Sequence, residues 1–217
     1  MADLTIYIGN KNYSSWSLRP WLAAKQGGIA FDEVLIPLYV PGSREKILAQ
    51  SPAGKVPALH HGAVRVWESL AVCEYLAETF PEAALWPADA AARAAARAVS
   101  TEMHNGFPAL RRHLPMNIRR PAAARGIPAE VQADIDRVTA IWHDCRIRFG
   151  AGGKFLFGRF SIADAMYSPV VSRFRTYRIA LDREADAYCD AVTALPAMQE
   201  WIAAARVEKM VVEHFEV

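Results

Sequence analysis

The chain has 217 residues and a mass of 24.0 kDa, enough for one large domain or two small ones. With 53% hydrophobic and 22% charged residues, its composition excludes a disordered tail or a collagen-like repeat. The 25 Lys and Arg against 23 Asp and Glu give a net charge of +2, which is too small to attract nucleic acid or an anionic membrane surface uniformly. We expect neither of these partners, so the function has to be found in a local site.

The N-terminus and the cysteines indicate the compartment. The segment Met1 to Leu4 lacks the basic start and apolar core of a signal peptide, and no stretch of about 18 uncharged apolar residues follows. Cys73, Cys145 and Cys189 are odd in number and far apart, with neither disulfide-framework nor zinc-ligand spacing. We therefore expect a cytoplasmic protein with buried, reduced thiols and no bound metal.

Strand and helix patterns alternate in the first 80 residues. The apolar, β-branched run Leu4–Ile8 predicts a strand, and a helix follows from about Ser17 to Gly27. The remaining predicted elements are a strand at 31–38, a helix at 43–49, strands at 56–59 and 63–67, and a helix at 70–79. The order βαβαββα predicts an α/β domain at 1–80, too small for a dinucleotide-binding fold, with a right-handed crossover in its βαβ unit.

The second half has helical periodicity almost throughout. A connector at 81–87 leads into an alanine-rich segment, and prolines and glycines separate the helices that follow. The helices are predicted at about 88–115, 128–149, 161–177, 185–190 and 196–205. The sequence thus predicts an all-helical bundle domain over 88–217.

Four stretches, in this order along the chain, resemble the glutathione S-transferases. They are Ser14-Ser15-Trp16-Ser17-Leu18-Arg19, the run SPAGKVPAL at 51–59, Glu68-Ser69, and Ser161-Ile162-Ala163-Asp164. The first stretch is most similar to the serine-type zeta class, although Trp16 stands where that motif has a cysteine. The resemblance implies a thioredoxin-like first domain with a mixed sheet, a helical second domain, glutathione as co-substrate, a small electrophile as second substrate, and a homodimer.

The hydroxyl residues at the start of the first helix are candidates for stabilising a glutathione thiolate. Free N–H groups at a helix start favour anions, and a hydroxyl hydrogen bond to sulfur adds about 1.5–3 kcal/mol. Since each unit of thiol pKa corresponds to about 1.4 kcal/mol, the two effects together supply about one to two units. We rank Ser14 first, Ser15 second and Ser17 third, with Tyr13 as a fallback, and expect at least one serine only to cap the helix.

The other glutathione contacts follow from the resemblance. Val56-Pro57 is similar to the position at which the family holds a cis peptide, turning the Val56 backbone toward the cysteinyl part of glutathione. Glu68-Ser69 lies where a strand gives way to a helix, so Ser69 and the first free N–H groups would bind the γ-glutamyl carboxylate and Glu68 its ammonium. Lys55 stands before Val56, where relatives often carry a polar contact to glutathione, with an ordinary surface role as the alternative. Arg44 or Lys46 would meet the glycyl carboxylate.

Several residues have both a functional and a structural interpretation. Arg19 is expected either to be solvated or to pair with a carboxylate or an anionic substrate. The electrophile pocket is expected between the two halves, lined by the loop Gly9–Tyr13 and by the first long helix. On that helix Met103, His104 and Phe107 are the candidates, with ordinary core packing as the alternative.

Two further patterns are expected to be structural. Ser161 and Asp164 have the spacing of a capping box, so we expect Asp164 to stabilise the fold and to take no part in chemistry. The clusters Arg111-Arg112-His113 and Arg119-Arg120 are expected to form a solvated face rather than to bind an acidic partner.

Three functional hypotheses remain open at this point. The first is a glutathione transferase acting on a small electrophile or a peroxide. The second is a zeta-like isomerase that uses glutathione to convert a maleylacetoacetate-type diacid. The third is a transferase-fold interaction protein without catalysis. A disulfide exchanger is disfavoured because the helix start has no cysteine.

Overall fold

The computed structural model describes residues 3–121, 123–124 and 126–216. Met1 and Ala2, which belong to the segment from which no signal peptide was predicted, lie outside the described residues, as does Val217 at the end of the predicted second domain.

The first half is a four-stranded mixed sheet with helices, as predicted. Its elements are β1 (Leu4–Ile8), α1 (Ser15–Gln26), β2 (Asp32–Leu35), α2 (Ser43–Leu48), β3 (Ala58–His61), β4 (Val64–Trp67) and α3 (Ser69–Thr79). The strand order is β2-β1-β3-β4, with β1 parallel to β2 and β3 antiparallel to both β1 and β4. This is the thioredoxin-like arrangement, and it places the start of α1 just beyond the end of β1.

The second half is helical, as predicted, but its first helix is divided in two. The elements are α4 (Ala90–Asn105), α5 (Pro108–His113), α6 (Ala129–Phe149), α7 (Ile162–Thr176), α8 (Arg183–Thr193) and α9 (Pro196–Val207). The single helix predicted over 88–115 is wrong because Gly106 leaves the helix with an extended backbone and Phe107 follows in the left-handed region at φ 62°. Pro108 then opens α5 at a position where its missing N–H is tolerated.

Helix α1 lies in the middle of the molecule. It packs against α3 in the first half and against α7 and α9 in the second. Trp21 on α1 and Trp201 on α9 are both fully buried, with ring centroids 5.0 Å apart. One continuous core spans both halves, so the helix that begins next to Ser14 is held in place from two sides.

The capping box at the start of α7 is present. The Ser161 N–H donates to Asp164 Oδ2 at 2.8 Å, while Oδ1 accepts from the Leu156 N–H at 3.0 Å and the Tyr188 hydroxyl at 3.1 Å. Asp164 is completely buried, and burial raises its pKa to about 6 despite these donors. The carboxylate therefore joins three segments of the helical half.

The three cysteines are free and buried, as predicted. Burial raises the pKa of Cys73, Cys145 and Cys189 to about 12 each. They are inert thiols in the core.

Candidate functional site

A cavity of about 890 Å³ opens between the two halves of the molecule. Most of the residues predicted to bind glutathione line it on the side of the first half: Ser14, Ser15, Lys55, Val56, Pro57 and Glu68. The facing wall comes from α4, α5, α7 and the C-terminal segment, and includes His104, Arg111, Arg173 and Phe215. The fold thus brings the predicted residues of three separate segments of the first half to one space.

Ser14 stands at the entrance to α1 with its side chain toward the cavity. It occupies the N-cap position, yet its hydroxyl does not cap the helix. Instead it donates to Ser17 Oγ at 2.7 Å, and Ser17 Oγ also accepts the Gly9 N–H at 3.0 Å. Ser15 also lines the cavity, whereas Ser17 is completely buried behind Ser14. The first turn of α1, with its free N–H groups, therefore meets the cavity beside the Ser14 hydroxyl.

The Tyr13 hydroxyl is engaged elsewhere, although its ring lines the cavity. It donates to Glu216 and accepts from Arg119 Nη2 at 2.9 Å. The ring also stacks on Phe215, with centroids 5.6 Å apart. Tyr13 therefore ties its loop to the C-terminal segment, and its hydroxyl is a poor candidate for the thiol.

The Val56–Pro57 peptide is cis, as the resemblance implied, and both residues line the cavity. Lys55 and Arg44 lie on the exposed rim of the same cavity. Lys46 is exposed and does not line it. The rim therefore offers Arg44 and Lys55 as cations within the cavity wall.

Glu68 and Ser69 lie at the junction predicted for them, between β4 and α3. Glu68 has a left-handed backbone at φ 68°, which is strained for a residue with a side chain, and its carboxylate lines the cavity 3.6 Å from His104 Nε2. The Ser69 side chain is completely buried and does not line the cavity; its hydroxyl accepts from Arg19 Nη1 at 3.4 Å. Glu68 therefore lines the cavity. Ser69 is the first residue of α3, and its side chain contacts Arg19 instead.

Arg19 is not solvated, because it is completely buried, and it has no carboxylate partner among the described residues. Its guanidinium stacks over the Trp16 ring at 4.3 Å, and Nε and Nη2 have no hydrogen-bond partner in the described part of the chain. Burial lowers its pKa well below the usual value, and the neighbouring Arg111 and Arg173 lower it further. Arg19 is thus a buried guanidinium that has no counter-ion in the part of the chain that the structure describes.

Arg111 was predicted to lie on a solvated face, and that prediction is wrong. Its guanidinium donates to the carbonyls of Gly106 at 2.8 Å, His104 at 3.3 Å and Met103, and it lies 4.8 Å from the Trp16 ring. The break after α4 exposes these carbonyls, since the last turn of a helix leaves its C=O groups free. The guanidinium is therefore fixed beside the cavity by the end of α4.

Arg173 on α7 was missed by sequence reasoning. Its Nε donates to the Leu114 carbonyl at 2.8 Å, but Nη1 is buried without a partner in the described residues, and the side chain lines the cavity. Burial lowers its pKa to about 9. We refer to Arg19, Arg111 and Arg173 as the arginine cluster; no sequence signal connects its members, which belong to three separate helices.

Of the three candidates predicted on the first long helix, only His104 lines the cavity. Met103 and Phe107 are buried in the core, so the alternative of ordinary packing applies to them. Burial and the charge of Arg19 lower the pKa of His104. Both effects favour the neutral form of the imidazole beside the arginine cluster.

The C-terminal segment 208–216 forms another wall that the sequence did not predict. The Glu208 carboxylate accepts the N–H groups of Lys11 at 2.6 Å and Asn12 at 3.0 Å. Arg119 donates to the Glu208 and Met210 carbonyls, so the prediction that Arg119 lies on a solvated face is also wrong. The segment holds the loop before Ser14 in place and brings Phe215 to the cavity.

Neither a metal-binding cluster nor a membrane-spanning helix is present among the described residues. No group of three or more His, Cys, Asp or Glu within them could hold a metal ion. No helix that the structure describes is both long and apolar enough to cross a membrane.

The fold and the site define a two-part protein in which a thioredoxin-like sheet with a cis-proline loop faces a helical bundle across one cavity. Residues 13–79 match the glutathione S-transferase N-terminal domain family. The match covers most of the thioredoxin-like half of the chain, which therefore resembles the N-terminal domain of the glutathione S-transferases.

Proteins similar to the chain include maleylacetoacetate isomerases and glutathione S-transferases. The chain is similar to maleylacetoacetate isomerase of Rattus norvegicus (27% identity, 81% of this chain and 80% of the relative). It is also similar to glutathione S-transferase L3 of Arabidopsis thaliana (27% identity, 93% and 78%). A match to a probable maleylacetoacetate isomerase of Caenorhabditis elegans, at 35% identity, spans only 47% of each chain.

Solved structures show the same fold. A glutathione transferase homologue from Burkholderia with bound glutathione superposes with a TM-score of 0.71 at 22% identity, covering 95% of this chain and 99% of the other. A theta class glutathione S-transferase from Xanthomonas axonopodis gives 0.68 at 23% identity, covering 93% and 98%.

Proposed function

We propose that this chain is a glutathione transferase in which the Ser14 hydroxyl stabilises the glutathione thiolate for attack on an electrophile. One observation supports the proposal above the others: Ser14, the cis Val56–Pro57 peptide and Glu68 all line the same cavity. These groups come from three different loops of the first half.

The cavity wall matches the chemistry of glutathione group by group. Glu68 supplies a carboxylate for the ammonium, and the start of α3 at Ser69 supplies N–H groups for the adjacent carboxylate. The backbone of Val56 can pair with the cysteinyl amide, and Arg44 and Lys55 on the rim suit the glycyl carboxylate. Each polar part of the tripeptide therefore has a partner of opposite character.

Ser14 acts as a hydrogen-bond donor and not as a base. The thiol has an ordinary pKa near 8.5, and a hydroxyl donor together with the helix terminus lowers it by about one to two units. The thiolate then attacks the electrophile, forming a carbon–sulfur bond while the leaving group takes the electron pair. With a peroxide, sulfur attacks one oxygen, so that an S–O bond forms as the O–O bond breaks, and the departing oxygen takes a proton from water. A second glutathione thiol then displaces water from the resulting sulfenic acid to give the disulfide.

The test is glutathione turnover with an aromatic halide and with a peroxide, in wild type and Ser14→Ala. We expect Ser14→Ala to lower kcat at least tenfold, because the thiolate loses its hydroxyl donor. Ser168→Ala is a matched control, since it removes an equally buried hydroxyl that donates to the Ala165 carbonyl in α7. If no electrophile is consumed and protein passes through immobilised glutathione unretained, the chain is a non-catalytic interaction protein instead.

The arginine cluster favours a second candidate, isomerisation of a maleylacetoacetate-type diacid. Buried guanidinium groups without counter-ions are costly unless an anion pairs with them, and a diacid brings two carboxylates. In such a reaction sulfur adds to the cis double bond, the carbon–carbon bond rotates, and the sulfur leaves with glutathione regenerated. The relatives named maleylacetoacetate isomerase support this candidate, and a direct isomerase assay with wild type and Arg173→Met tests it.

The proposal also includes the organisation of the chain. We propose that residues 1–80 bind glutathione, that 81–87 connect, and that 88–217 contribute the wall for the second substrate. We further propose a cytoplasmic homodimer on the basis of the family resemblance alone. Analytical ultracentrifugation at micromolar protein concentration tests the oligomeric state, and a monomer at that concentration contradicts the proposed homodimer.

A further inference from the structure

Ser17 lies in direct contact with the proposed thiol-stabilising residue but has no access to substrate. Its side-chain oxygen is 2.7 Å from Ser14 Oγ, and it is completely buried and absent from the cavity wall. The Gly9 N–H, from the end of β1, donates to the same oxygen at 3.0 Å. Ser17 therefore connects Ser14 to the backbone of the sheet.

The direction of the Ser14–Ser17 hydrogen bond decides what Ser14 can offer a thiolate. A hydroxyl has one proton and two acceptor lone pairs, and its proton rotates to suit its neighbours. While Ser14 donates to Ser17, the Ser14 proton is unavailable to sulfur. If Ser17 donates instead, the Ser14 oxygen accepts and its proton is free for the cavity. The Gly9 N–H is compatible with this reversal, since it occupies only one lone pair of Ser17.

We propose that Ser17 is a positioning residue for the reaction: it donates to Ser14 when the thiolate binds, so that Ser14 donates to sulfur. The inference rests on the proposed function, because it assigns the supporting group for the same thiolate. The covalent bonds of both serines stay intact and only two hydroxyl protons turn. Hydrogen bonds in such a chain polarise one another, so the Ser14 donor becomes stronger than an isolated hydroxyl.

The inference is tested with Ser17→Ala. We expect the pKa of the bound glutathione thiol, titrated by ultraviolet absorbance of the thiolate, to rise by about half a unit to one unit. At a pH below that pKa, kcat then falls about three- to tenfold while KM for glutathione stays within about twofold. Ser168→Ala, an equally buried serine on α7, is the control and leaves both quantities unchanged.

A purely structural role for Ser17 predicts a different pattern. Ser17→Ala also removes the acceptor of the Gly9 N–H, which could displace the loop before Ser14. Such a displacement lowers activity in any background, whereas a positioning role has no further effect once Ser14 is Ala. The comparison of Ser14→Ala with the double variant Ser14→Ala/Ser17→Ala separates the two. If Ser17→Ala does not fold, Ser17→Cys keeps the volume but offers a weak donor, and the same thiol pKa rise is expected.

Each outcome has one meaning. If Ser14→Ala lowers kcat but Ser17→Ala leaves the thiol pKa at its wild-type value, the positioning role is overturned and the proposed function stands. Further loss in the double variant also overturns it. If Ser14→Ala itself changes nothing, the proposed catalytic assignment fails first.

Discussion

Asp164 carries the largest prediction about stability. In Asp164→Ala, the N–H groups of Leu156 and Ser161 and the hydroxyl of Tyr188 lose their acceptor inside the helical half. A buried donor without a partner costs about 1–3 kcal/mol, so the three together cost about 6 kcal/mol at a middle value of about 2 kcal/mol each. This exceeds the effect of losing an ordinary helix cap, which is about 0.5–2 kcal/mol.

The negative charge of the buried Asp164 carboxylate destabilises the folded state, so the stability lost in Asp164→Ala depends on pH. The folded-state pKa of about 6 lies above the unfolded value of 3.8, so the folded state binds more protons between these values. The stability from this group is present in full below pH 3.8 and is lost as the pH rises through 6. The full difference is about 3 kcal/mol, of which about 2 kcal/mol is still present at pH 4.5.

We therefore expect Asp164→Ala to lower the free energy of unfolding by about 3 kcal/mol at pH 8 and about 5 kcal/mol at pH 4.5. Urea denaturation followed by fluorescence of the buried Trp142 and Trp201 measures both values. Asp144→Ala is the control, because its exposed ion pair with Arg148 contributes less than about 1 kcal/mol. An equal loss at the two pH values would show that Asp164 is not protonated near pH 6, and wild-type stability at both would remove its structural role.

Two further outcomes are expected. Burial raises the pKa of each of the three cysteines to about 12, so none should react with an aromatic disulfide reagent at pH 8 in the native protein. All three should react in urea. Rapid reaction of even one cysteine in the native protein would contradict its burial. Glu208→Ala should speed amide hydrogen exchange at Lys11 and Asn12, because their N–H groups lose their acceptor. Replacing the exposed Glu213 by Ala should not change this exchange. Unchanged exchange in Glu208→Ala would mean that the C-terminal segment does not hold the loop.

The sequence predicted those helices and strands whose signals lie within a few neighbouring residues. The run Leu4–Ile8 forms the strand predicted for it, and Ser161 and Asp164 form their capping box within one turn. The division after α4 was also visible as Gly106 and Pro108, but the apolar periodicity on either side concealed it. Helical period persists across a short break, so periodicity alone overestimates helix length.

The arginine cluster could not be predicted because its environment depends on three distant helices. Arg19 is buried only because α7 packs over α1, and Arg111 is fixed only because α4 ends where it does. Because arginine side chains are mostly exposed in folded proteins, the sequence alone favours a solvated guanidinium at each of these positions. The resemblance located the residues near Ser14 and Val56, which lie in contiguous motifs, but could not locate a wall assembled from separate helices.

The clasp between Glu208 and the loop at Lys11 and Asn12 joins positions 197 and 196 residues apart. Glu208 must therefore leave the ribosome before the loop at Lys11 and Asn12 can bind it, long after the residues of the sheet have emerged. The sheet and most helices can form during synthesis, but the chamber around Ser14 closes only afterwards. A chain cut before residue 208 would keep every strand and every helix from α1 to α9 and still lack one side of that chamber.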